Sequence, residues 1–184
     1  QQVTELMLQS NLADTLGKTL QQVKVSGALK TQLNLTIPLS GEALVAKGKV
    51  LLSDNKVELP SLNILLQQTN DTVNFINSKI KASDLKAQLL QQPITLHLTG
   101  AQEDKGYQTD ININGNWEVT PLLESFSTGL AKYLSGSSNW TADIALTLPT
   151  QGYQYSAQIF SDLKQVSSDL PAPFTKTIKQ SLPL

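Results

Sequence analysis

The chain has no cysteine and no arginine, and its one histidine is His97. Without thiols, a disulfide framework, a thiolate nucleophile and a thiolate metal site are excluded. All 14 basic residues are lysines. The planar guanidinium that grips phosphate or guanine through paired hydrogen bonds is therefore missing, which argues against nucleic acid. Charged residues make up 16% of the chain, against about 25% in ordinary domains, and the net charge is −1. No strong field of either sign is available to steer a charged partner. No apolar run approaches the ~18 residues of a membrane-spanning helix, and Gln1-Gln2 does not open a signal peptide. Nucleotide-binding, serine-hydrolase and metalloprotease spacings are absent. His97 falls on the polar side of Ile94-Thr95-Leu96-His97-Leu98, with no second histidine and no Ser/Asp pattern beside it. It reads as a solvated strand residue rather than a general base. Glu103-Asp104 reads as a charge pair at a hairpin tip. The expectation is no catalytic residue, no metal ligand and no cofactor.

What the chain does have is repetition. Leu35-Thr36-Ile37-Pro38 returns as Leu146-Thr147-Leu148-Pro149, and Leu59-Pro60 returns as Leu170-Pro171. The offset is 111 residues, the separation of Pro38 from Pro149 and of Pro60 from Pro171. An offset held without gaps marks a repeat architecture. It predicts a first helix-plus-strands unit over 11–119 and a second, shorter one over 120–184. The early end of the second unit predicts that 1–184 is cut from a longer array.

Within each unit most residues alternate apolar and polar. Leu29, Leu33, Leu35 and Ile37 share one side of a strand that Pro38 ends, because proline cannot donate to the ladder. Leu44, Ala46, Gly48, Val50 and Leu52 share the next, followed by a turn at Ser53-Asp54-Asn55 and a bend at Pro60, where the apolar parity switches. Val73–Phe75, Ile80–Ala82 and Leu85–Leu89 read as weaker strands around Asn77-Ser78. Ile94, Leu96 and Leu98 form a strand ended by Gly100. Tyr107, Thr109, Ile111, Ile113, Gly115 and Trp117 make the longest clean alternation, and Trp140 to Leu148 restarts it. Helical spacing is confined to two places. One is Leu12, Leu16 and Leu20 behind a remnant strand at Val3–Gln9. The other is Leu122, Phe126, Leu130 and Leu134, capped by Thr120-Pro121 and stopped by Gly136.

The expected fold is therefore mainly β: repeating amphipathic antiparallel strands in a curled, groove-like sheet with two short helices. A helix is about 10–12 Å wide and strands sit about 4.8 Å apart, so each helix covers about two strands. Most of the apolar strand face is left uncovered. Either it folds on itself into a dry core, or it lines a trough for something apolar. The candidate wall is Leu29, Leu33, Leu35, Ile37, Leu44, Val50, Leu52, Ile111, Ile113, Ile144 and Leu146. Trp117, Phe126, Leu130 and Trp140 are candidates for a groove mouth or lid, the tryptophans having the alternative of packing under the second helix.

The order of its pieces resembles the AsmA-like family of Gram-negative envelope proteins, most closely the YhdP branch. Those pieces include Gly27-Ala28-Leu29 leading into Leu33–Leu39, then Val57-Glu58-Leu59-Pro60, Val73-Asn74-Phe75, Gln92-Pro93-Ile94, Gly115-Asn116-Trp117 and Leu170–Lys176. The family pattern has a glycine at the middle turn; Gln68-Thr69-Asn70-Asp71 has none. The resemblance implies a periplasmic protein anchored to the inner membrane by a segment outside this chain. It implies a β-groove that carries phospholipid acyl chains between inner and outer membrane, with neighbouring repeats of the same chain as partners. The rival expectation is a structural or outer-membrane-assembly module with a closed core that binds a protein by strand addition.

Overall fold

Period-two alternation dictates strands, and in this computed structural model, which describes residues 23–39, 44–60, 63–149 and 152–180, strands dominate. They are β1 (Lys24–Ser26), β2 (Leu29–Thr36), β3 (Val45–Leu59), β4 (Ile64–Ile76), β5 (Lys79–Leu89), β6 (Gln92–Glu103), β7 (Gly106–Glu118), β8 (Leu134–Leu148), β9 (Gln154–Ser161) and β10 (Val166–Ser168). One helix, α1 (Val119–Ser125), lies between β7 and β8. The expected strand at Val3–Gln9 and the helix on Leu12, Leu16 and Leu20 lie outside the described residues.

All ten strands belong to one antiparallel sheet, and from β3 to β8 each pairs with the next in sequence. β1 and β2 share one edge of β3, while β9 and β10 share one edge of β8. The sheet is open: no pairing joins β2 to β9. The two hairpins related by the 111-residue offset, β2–β3 and β8–β9, stand at its two ends. Their registers differ. Leu35 faces Ala46, whereas Leu146 faces Tyr155 and not Ala157, the residue equivalent to Ala46. A slip of two residues keeps every side chain on its original face.

The first half of the sheet is creased. Register shifts occur in β3–β4 around Asn55, in β4–β5 around Asn70, and in β5–β6 between Ala82 and Leu85. The β6–β7 and β7–β8 ladders run without a shift. Each shift is a β-bulge that bends its strand and flips the parity of the residues beyond it. Asp54, Gln68 and Asp71 take positive φ there. Three expected breaks are thereby corrected. Ser53-Asp54-Asn55 is not a turn but a bulge inside one long strand. The parity switch belongs to that bulge and not to Pro60, which sits in the β3–β4 connection. Gln68–Asp71 is not a hairpin but continues β4.

Asn55 holds the crease. Its side chain is fully buried. Nδ2 donates to the carbonyls of Ser26 (3.1 Å) and Ala28 (3.2 Å), and Oδ1 accepts from the Ser53 amide (2.7 Å). These bonds cover the break between β1 and β2, where Gly27 turns at φ +110° and a Cβ would come within 2.6 Å of Asn55 Nδ2. The opposite edge has a comparable device. Lys176 is buried, and its ammonium donates to the carbonyls of Leu163 (2.7 Å) and Val166, which bracket the break between β9 and β10.

The helix is shorter than its apolar spacing predicts. Glu118 occupies the N-cap without a side-chain bond, and Thr120 Oγ1 donates instead to the Leu134 carbonyl (3.1 Å). Ser127 stops the helix at φ 52°: its amide bonds to the Glu124 carbonyl and the Thr128 amide to the Leu123 carbonyl, a Schellman termination with serine where glycine is usual. Gly136 therefore stops nothing and lies inside β8. Gly100 likewise does not end β6, which runs on to Glu103. The Asn77-Ser78 turn falls where the sequence puts it, and the hairpin tip expected at Glu103-Asp104 lies one residue later, at Asp104-Lys105, with Glu103 ending β6.

Candidate functional site

Curling turns the alternating faces into an inside and an outside. The inside holds a buried cluster that includes Leu52, Leu66, Ala82, Leu85, Ala87, Ile94, Leu96, Ile113, Trp117 and Ala142. At one end this cluster is dry. Trp117 and Trp140 meet edge to face with centroids 4.6 Å apart, Trp117 Nε1 donates to the Pro93 carbonyl (3.0 Å), and Leu122 of α1 packs against the cluster.

Toward the other end the faces part around an apolar cavity of about 290 Å³. Val25 and Leu29 from one edge of the sheet line it, and so do Leu146, Leu148 and Tyr153 from the other. Side chains of β2 and β8, six strands apart in the sheet, thus surround one space. Among the described residues none of the lining is charged; its polar groups are Thr109 and the hydroxyls of Tyr107 and Tyr153. Tyr107 is 2% exposed, its hydroxyl has no hydrogen-bond partner among the described residues, and burial pushes its pKa up to about 12. A phenol so placed stays neutral at physiological pH.

The structure distributes the candidate wall over three settings. Leu29, Val50, Leu52, Ile111 and Leu146 line the cavity. Ile113 is buried in the dry cluster and Ile144 packs against it. Leu33, half-buried, and the exposed Leu35, Ile37 and Leu44 lie on the β2–β3 hairpin outside the lining. None of the four mouth or lid candidates lines the cavity. Trp117 and Trp140 belong to the dry end, and Phe126 (63% exposed) and Leu130 (42% exposed) follow the helix toward solvent. Sequence reasoning left out Val57, Leu59, Leu66, Val73, Ile80, Leu85 and Tyr107, all in the lining. The signal for Val57, Leu59, Val73 and Leu85 was the apolar parity on the far side of a bulge, whereas Tyr107 stood in the unbroken alternation of β7.

Three strand glycines carry aromatic rings lying on them. A Cβ on Gly48 would meet Phe75 at 2.6 Å, one on Gly115 would meet Trp140 Nε1 at 2.6 Å, and one on Gly100 would meet Tyr107 at 2.9 Å. Such rings cover the sheet without standing up from it.

The outer face carries a broader polar hollow of about 520 Å³, where His97, Asn112, Asp143 and Gln158 face one another across four strands. Asn112 Nδ2 donates to Asp143 Oδ1 (2.7 Å), and Asn114 Nδ2 to Asn112 Oδ1 (3.0 Å). Among the described residues no three His, Asp or Glu side chains converge as metal ligands. The inner cavity is the better candidate site, because it combines enclosure with uniform chemistry.

A curled, open antiparallel sheet around an uncharged apolar hollow defines the class: a β-groove protein. The chain belongs to the YhdP protein family, whose family model matches residues 1–184. It is 35% identical over 174 residues to the intermembrane phospholipid transporter YhdP of Escherichia coli (strain K12). That alignment covers 93% of this chain and 14% of the relative, so the chain spans about a seventh of the relative's length. No solved structure matches it.

Proposed function

We propose that this chain is a non-catalytic segment of a lipid conduit. It binds phospholipid acyl chains on its inner apolar face and passes them between inner and outer membrane across the periplasm, in a protein anchored to the inner membrane by a segment outside this chain. The observation that carries the reading is the uncharged cavity framed by residues from both edges of an open sheet. Burial of an acyl chain of about sixteen carbons, at ~0.8 kcal/mol per methylene, yields on the order of 10 kcal/mol before ordering costs. That is ample to hold a chain without proton transfer or metal. Residues 11–119 and 120–184 are read as successive repeats. The placement of the two related hairpins at opposite ends of the sheet supports this, because a further repeat can then extend the sheet at β9. Lipid extraction from the purified chain followed by mass spectrometry tests the reading. Stoichiometric phospholipid or fatty acid is expected, and a lipid-free chain that also takes up none from vesicles would sink it.

One feature favours a second reading. All eight residues of β9 are exposed, and among the described residues its outer backbone edge is unpaired. A protein partner could add a strand there, which would make the chain an assembly module. Lipid-free chain that captures a β-strand peptide would support that alternative.

A further inference from the structure

We propose that Gly100 and Tyr107 act together as a depth gauge in the floor of the apolar cavity, keeping it open to one extended hydrocarbon chain. This inference rests on the acyl-chain reading above. Tyr107 opens β7 and lies in the lining with Ile80, Leu98 and Thr109. Its ring lies across Gly100, where a Cβ would come 2.9 Å from the ring Cε1, 2.9 Å from the hydroxyl oxygen and 3.0 Å from Ile80 Cγ1. Gly100 does not have the positive φ that would demand glycine. What it supplies is the absence of a side chain under the ring.

Lying flat leaves Tyr107 with a defect. The hydroxyl is buried with no partner among the described residues, although buried tyrosine hydroxyls ordinarily find one. A ring standing off the sheet could hydrate its hydroxyl through the open side of the groove, but it would occupy the cavity. The flat arrangement therefore gives up a hydrogen bond and keeps volume. Burial that pushes the phenol pKa upward agrees with a hydroxyl withdrawn from water. The other two aromatic rings on glycines, Phe75 over Gly48 and Trp140 over Gly115, are outside the lining, so this pair alone sets the floor at the cavity. The ligand class is set by the surroundings. Among the described residues no charged group lines the cavity, so the portion of ligand at this depth is plain hydrocarbon, with any headgroup outside.

The test is fluorescence titration of the 184-residue chain with cis-parinaric acid, each variant being checked for fold by circular dichroism and urea denaturation. Gly100→Ala should raise the ring and weaken binding by about tenfold or more, the scale of one misplaced methylene in a fitted pocket. Tyr107→Phe keeps the ring and removes only the hydroxyl, so it should lose less binding than Gly100→Ala. Gly100→Ala combined with Tyr107→Leu removes the raised ring and should recover binding to within about threefold. If Gly100→Ala does not fold, Tyr107→Trp replaces it: a larger ring on the same glycine should weaken binding comparably. Folded Gly100→Ala or Tyr107→Trp protein that binds as the parent does overturns the gauge, as does a double variant no better than Gly100→Ala. Loss of binding in Tyr107→Phe as large as in Gly100→Ala overturns it too, by making the hydroxyl a ligand contact. A parent chain that binds no probe sinks the acyl-chain reading itself, and that outcome is distinct from a binding parent with indifferent variants.

Discussion

Leu146→Asp separates an open groove from a closed core. Leu146 lies in β8 between Thr109 and Tyr155, half-buried, with its side chain in the cavity lining. Removing a half-buried leucine forfeits about 1 kcal/mol of the ~1.5–3 kcal/mol that full burial provides. With the cavity empty, the new carboxylate stays hydrated from the open side, so the total loss should remain below about 2 kcal/mol. Ile113→Asp, on the neighbouring strand and the same face, is the contrast. Ile113 is 8% exposed within the dry cluster. An unpaired carboxylate there should cost about 3–5 kcal/mol or more, enough to unfold a marginal domain. Lipid occupancy should respond in the opposite sense. In the Leu146→Asp protein an acyl chain lying on the introduced carboxylate would have to strip its water. The cost is several kcal/mol, a hundredfold or greater loss of affinity. Urea midpoints and the lipid-to-protein ratio by mass spectrometry read the two quantities. Gln32→Asp, exposed on β2, is the silent control. Leu146→Asp protein that unfolds as readily as Ile113→Asp, or that keeps full lipid, would refute the groove.

Asn55→Ala should destabilise by about 2–4 kcal/mol in urea titration, since it leaves two carbonyls and one amide without their buried partner. Phe126→Ala should cost less than ~1 kcal/mol in the same assay, because the ring is exposed at the C-cap of the helix. Alkaline titration isolates Tyr107. Its pKa rises from 10.0 to about 12 on folding, so its contribution is intact below pH 10 and is lost as pH climbs from about 10 to about 12, where the unfolded chain releases the proton first. The parent should lose about 3 kcal/mol more than Tyr107→Phe over that window.

The regular half of this sheet was legible in the sequence and the creased half was not, for one physical reason. From Tyr107 to Trp117 and from Trp140 to Leu148 the apolar positions keep one parity, and both stretches are strands with unshifted ladders. At Leu52 to Val57, Leu66 to Val73 and Ala82 to Leu85 the parity changes. A parity change read locally looks like the end of a strand. The structure keeps the strand and inserts a bulge, because the long-range partner is already in place on either side. Asn55 shows how little a single residue type reveals: Ser-Asp-Asn has turn composition, yet its asparagine is, like Thr69, a fully buried polar side chain of the crease. The cavity itself was half legible. Leu29, Val50, Leu52, Ile111 and Leu146 were found by alternation, whereas Ile113 and Ile144 shared the same alternation and went to the dry cluster. Which layers of a face stay open depends on curvature, and curvature comes from bulges that alternation does not encode. The helix failed similarly: the Leu122, Phe126, Leu130 periodicity outlasts the helix, because Ser127 adopts a conformation that glycine usually signals.

Pairing of each long strand with its sequence neighbour has a kinetic consequence. From β3 to β8 no strand waits for a partner more than one hairpin away. Loop closure is then short at every step, and the entropy cost of assembly is met locally. A chain delivered from its N-terminus can add β4 to β3, then β5 to β4, as each appears, with the newest strand always forming the growing edge. Order of appearance becomes order of folding, and strands still to come place no demand on those already formed.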